Sequence, residues 1–170
     1  MSLGSAIFSS GPIRDTSRPE EEYGLFDQLT RVSHFLRDIR FRLRHGELSR
    51  APLKILRFQV VEATVECDWM ARAADPWDAD LPNNVGLRHA SLQAIKDAIK
   101  VRALLFDSFP KAESAEVRVF RESDDYTREL IISGYLHRND NTGRQVNSIV
   151  MRAKVLGFQF RMENEILRKI

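Results

Sequence analysis

Leu25, Leu29, Val32, Leu36, Ile39 and Leu43 recur at three- and four-residue steps, and Phe26 and Phe35 widen the stripe they draw. That spacing is the helical period, so residues 20–46 are expected to form an amphipathic helix. Glu20, Glu21 and Glu22 fall at the end where a helix dipole is positive. Arginines crowd the other end, and Gly46 stands where a cap is needed. Residues 1–19, rich in Ser, Gly and Pro and without an apolar period, read as a flexible arm.

From Leu53 the period changes to two. Leu56, Phe58 and Val60 alternate, and Val61, Ala63, Val65, Cys67 and Trp69 continue one residue out of phase. Either one long strand carries a bulge near Val60, or two strands meet at a turn near Glu62. No Gly or Asn marks a tight turn there, which favours the bulge. Helical spacing returns with Leu92, Ile95, Ile99, Phe106 and Phe109, and Pro110 ends the segment. "AEVRVFR" and "RELIISGYLHR" alternate on either side of the turn-forming "ESDDYT", the pattern of a hairpin. "QVNSIVMRAKVLG" reads as a short helix with Ala153 inward and Gly157 at its end, and "FQFRM" as a last strand.

The resulting order is a helix followed by β-α-β-β-α-β. That is the order of a ferredoxin-like unit: an α+β domain with an antiparallel sheet and both helices on one face. The organisation expected is an arm at 1–19, a basic amphipathic helix at 20–46 and an α+β domain at 53–170. The first helix is surplus to such a unit. It is expected to lie over the sheet's bare face or to pair with a second chain.

With 43% hydrophobic and 29% charged residues, the composition is that of a folded domain and excludes a disordered chain. A single cysteine rules out an intrachain disulfide and favours a reducing compartment. "MSLGSAIFSSG" has neither the basic start nor the apolar run of a secretory leader, so a cytoplasmic protein is expected. No segment approaches the roughly 20 apolar residues of a membrane span. The net charge of +2 demands no polyanion. Its distribution is uneven, however, because residues 31–57 hold eight basic side chains against Asp38 and Glu47. Arg37, Arg40 and Arg44 share one helix face, away from the apolar stripe. Such a face suits a membrane surface, phosphates or a partner groove, and it is also what a solvated helix end favours. The strands lack the paired aromatics on which an RNA-binding sheet stacks bases, so a nucleic-acid partner is not expected.

The residues that could carry chemistry gather in "CDWMARAADPWDADLPNN", Cys67 to Asn84. An EF-hand loop counted from Asp75 would need Gly at its sixth position and Glu at its twelfth. The chain has Asp80 and Gly86 there, so the motif fails. Cys67, with His89 or His137 as base, is a conceivable nucleophile. Its alternation with Val65 and Trp69 puts it instead on the apolar face, where a thiol is inert. His34 and His45 are too far apart along one helix to share a metal ion. No catalytic residue, metal ligand or cofactor is assigned. The simplest reading is a strand-to-helix crossover pinned by Trp69 and Trp77, with Asp80, Asn83 and Asn84 capping the next helix.

Two functional expectations follow. The favoured one is a non-enzymatic domain that self-associates or binds a protein partner through Leu29, Leu36, Arg37, Arg40 and Arg44 of the first helix, together with the open sheet face. The alternative is a binding site for a small anionic molecule, or an enzyme pocket, near residues 75–84. Arg72, Asp78, His89 and Tyr135 would line it.

Overall fold

The computed structural model describes residues 17–82, 84–139 and 142–170, with side chains of the first helix described from Gly24 onward. Most of the expected arm therefore lies outside the described residues, as does Asn83. Helix α1 runs Ser17–Arg42, taking in the last three residues assigned to the arm and stopping short of Gly46. The chain then turns with the Gly46 amide bonded to the Ser49 carbonyl at 2.9 Å. Gly46 serves this turn by its lack of a side chain, since a Cβ there would lie 2.5 Å from Cδ of Gln93.

Strands β1 (Lys54–Val61) and β2 (Thr64–Met70) form a hairpin. This corrects the single bulged strand favoured by the sequence. The turn is made by Glu62 in the left-handed region, at φ 53, a conformation the sequence did not advertise with Gly or Asn. A bulge is also present, but at Leu56, between Ile55 and Arg57. Helix α2 (Val85–Ser108) leads to β3 (Ser114–Glu122), which pairs with β4 (Arg128–His137) as the expected hairpin. Helix α3 (Ile149–Val155) follows, with Ser148 accepting from the Met151 amide as its cap. The expected last strand is two. Strand β5 (Phe158–Gln159) joins β4, whereas β6 (Arg161–Glu163) pairs with β7 (Ile166–Arg168) in a separate ribbon.

The architecture is α+β, and its five-stranded sheet has the order β1-β2-β3-β4-β5. β2 and β3 are parallel neighbours and the other pairs are antiparallel, so the sheet is mixed where an antiparallel one was expected. The cause is the β1–β2 hairpin. It fills one side of β2, and α2 returns the chain directly onto the other, leaving no gap for the inserted strand that a ferredoxin-like order requires.

One face of the sheet is apolar. Phe58, Cys67, Val117 and Gly134 form a cross-strand row on it, flanked by Val65, Trp69, Val119, Ile132 and Leu136. All three helices contribute to the core on this face. α1 runs opposite in direction to α2: Arg31 donates to the carbonyl of Ser108 near the end of α2, while the turn after α1 meets Gln93. Phe35 of α1 stacks on Phe58 and Phe109 with ring centroids 5.0 and 6.1 Å away. The first helix thus lies beside α2 and does not cover the bare face. β1 widens the apolar face by one strand, and α1 shelters that extension. The opposite face carries Glu66, Asp68, Glu116, Arg118 and Tyr135, with Asp68 and Arg118 joined by two hydrogen bonds of 2.9 and 2.6 Å. A face so polar needs no lid.

Arg72, just past β2, is only 3% exposed. Its Nε donates to Asp97 Oδ2 at 2.7 Å, its Nη1 to the carbonyls of Ala51 and Arg44, and its Nη2 to that of Leu43. Asp97 also accepts from Gln93 at 2.9 Å, and Gln93 in turn accepts from the Leu48 amide. The carbonyls at a helix C-terminus have no intrahelical donors, so this guanidinium caps α1 from inside the protein. Asp97→Ala leaves a buried cation unpaired and is expected to cost about 3–5 kcal/mol in urea-unfolding free energy. Deleting residues 1–52 removes Phe35, Ile39 and Leu43 from the core along with the three carbonyl acceptors of Arg72. The shortened chain is expected to show no cooperative thermal transition by circular dichroism.

Candidate functional site

The four residues expected to form a ligand pocket do not converge. Arg72 is committed to α1 and Asp97, as described above. Tyr135 stands on the polar face of the sheet, paired in register with Glu116, and its hydroxyl donates to Ser114 Oγ at 3.1 Å. That is the Thr64 end of β2, whereas the Arg72–Asp78 segment leaves from the Met70 end. Asp78 and His89 do meet, with Asp78 Oδ2 and His89 Nδ1 2.9 Å apart.

Local chemistry explains this pair. Asp75 accepts from the Trp77 amide at 3.2 Å and starts a single 3-10 turn, Pro76–Asp78, which Pro76 favours at its first position. Gly86, in the first turn of α2, sits against this turn, where a Cβ would be 3.2 Å from that of Asp78. The close approach brings His89, one helical turn further on, within reach of the carboxylate. A cleft of about 570 Å³ opens between this turn and residues 46–50. Trp77, expected to pin the loop, is 83% exposed and projects outward, while Trp69 is fully buried. The expected cap also differs, because Asn84 adopts φ 56 at the start of α2 without a side-chain cap bond.

A carboxylate-oriented imidazole is one half of an acid–base apparatus. Neither Ser49 nor Cys67 supplies the other half. Ser49 lines the cleft but is buried and donates to the Ala73 carbonyl at 2.7 Å. Cys67 lies in the core row with no exposure, and desolvation, reinforced by the Asp68 charge, pushes its thiol far above the usual range. No group of three or more His, Cys, Asp or Glu among the described residues is arranged to hold a metal ion. No helix among them is long and apolar enough to cross a membrane.

The helix residues named from the sequence divide into two sets. Ile39 and Leu43 are buried, and Leu36 is half-buried. Leu25, Phe26 and Leu29 are 59, 72 and 58% exposed, on the part of α1 that precedes Arg31 and runs past the end of α2. Asp27, Thr30 and Arg31 still line a cleft with Asp107 and Ser108 at the end of α2, and Leu25, Phe26 and Leu29 lie outside that cleft's lining. Arg37, Arg40 and Arg44 are exposed on the flank away from the core.

Compared with known proteins, the chain matches no family model, no curated protein and no solved structure. The buried thiol gives a direct check. Cys67 is expected to stay unreacted with Ellman's reagent at pH 8 in the native protein and to react fully once guanidinium unfolds it. Rapid native labelling would contradict the placement of the thiol in the core.

Proposed function

We propose that this chain is a non-enzymatic interaction domain that self-associates through the free half of α1. The observation that carries the reading is the exposure of Leu25, Phe26 and Leu29 on a helix that also sends Phe35 and Ile39 into the core. Full burial of a Leu or Phe side chain is worth about 1.5–3 kcal/mol, and here three remain in water on one short segment. The polar sheet face contributes less to such a contact, because its central charges are already paired with each other. The rival reading, an anionic ligand near residues 75–84, retains only Asp78 and His89 in one place. A carboxylate facing the ligand opposes an anion. A cytoplasmic setting fits a domain whose one thiol is never offered to an oxidant.

Two helices in contact over this length form a small interface, so a dimer of micromolar affinity is expected. Sedimentation equilibrium on the full chain should give twice the monomer mass of 19.6 kDa at tens of micromolar. Leu25→Glu/Leu29→Glu should yield a monomer whose melting temperature no longer depends on concentration and matches that of the wild type at high dilution, since neither side chain supports its own domain. A wild-type monomer across that concentration range would refute the reading.

A further inference from the structure

We infer that the partner is a second copy of this chain, its α1 laid antiparallel to the first in a register that sets acidic turns on basic ones. The inference rests on the self-association proposed above and adds orientation and register to it. Along α1, positions Glu22, Phe26, Leu29, Ser33, Leu36 and Arg40 follow one another at steps of four, three, four, three and four. That alternation is the seam of a left-handed two-helix coil. It is a different line from the one buried in the domain, which passes through Phe35, Ile39 and Leu43. Phe26, Leu29, Ser33 and Arg40 are exposed and Leu36 is half-buried, so the seam is free for a second helix along its described length.

The seam is its own complement when reversed. Pairing position 29 with 33 of the other copy also sets 26 against 36 and 22 against 40. Phe26 then covers the half-buried Leu36, Leu29 packs over Ser33, and Glu22 meets Arg40. Each contact occurs twice by the two-fold symmetry. A parallel pair would stack Glu22 on Glu22 and Arg40 on Arg40, bringing like charges together at both ends. The wider charge pattern agrees. Positions 20–27 hold Glu20, Glu21, Glu22 and Asp27, whereas positions 37–44 hold Arg37, Arg40, Arg42 and Arg44 against Asp38. Exposed ion pairs direct orientation more than they add affinity, which is the role assigned to them here.

The test uses full-length chains bearing single new cysteines, Glu22→Cys or Arg40→Cys, made practicable by the burial of Cys67. An equimolar mixture under mild oxidation should form the mixed disulfide as its main covalent dimer. Glu22→Cys alone should cross-link poorly, because its two copies would be about 27 Å apart along an antiparallel pair. Separately, Arg40→Glu should weaken the dimer about tenfold, and Glu22→Arg/Arg40→Glu should restore it. Efficient cross-linking of Glu22→Cys to itself, with the dimer intact, would overturn the antiparallel register while leaving self-association standing. A monomer in which amides 24–31 nonetheless exchange slowly would assign their cover to residues 1–16 and overturn both.

Discussion

A guanidinium withdrawn from water costs several kcal/mol unless every donor finds a strong acceptor, and at Arg72 the acceptors come from three separate stretches of chain. Asp97 belongs to the middle of α2, Leu43 and Arg44 to the end of α1, and Ala51 to the approach to β1. Arg72 itself follows β2. The cation therefore locks the first helix to the sheet at one point. Gly46 and Gln93 sit beside the same junction, where Gln93 bonds Asp97 and the Leu48 amide. Without this clasp, the apolar contacts of Phe35 and Ile39 would still favour a helix on the sheet. They would not specify where the helix must stop.

Much of this was legible in the sequence because it depends on period alone. The stripe of α1, the β3–β4 hairpin and the inward Ala153 of α3 all follow from which positions are apolar. The elements that escaped depend on information no period carries. The β1–β2 turn uses a glutamate at positive φ, so the usual turn residues were missing. The alternation of "FQFRM" runs across Phe160 without revealing that the strand changes partners there. Arg72 looked like a ligand residue because it lies next to acidic loop residues. What it serves is a set of backbone carbonyls, and carbonyls are present at every position of any sequence. Asp78 and His89 meet because a turn followed directly by a helix start keeps such neighbours together.

The first helix thus has two environments on one continuous rod. Val32, Phe35, Leu36, Ile39 and Leu43 belong to or pack on the core, Phe41 on another side of the helix is exposed, and Leu25, Phe26 and Leu29 before Arg31 face solvent. A domain that needed the helix for stability alone could end it near residue 31. The additional turns, with their leucines and phenylalanine, are the basis of the association proposed above; the pair at Asp78 and His89 has no nucleophile beside it among the described residues.

The irregularity at Leu56 has a consequence of its own. β1 is the longer of the sheet's two edge strands, and an unpaired edge of this kind is a template on which another chain can add. An extra residue there twists the ladder out of step, and the cationic Lys54 and Arg57 flank it. A kinked, cationic border of this kind is a poor template for a further strand, so the hydrogen-bonding edge of the sheet is disfavoured as a site of open-ended polymerisation.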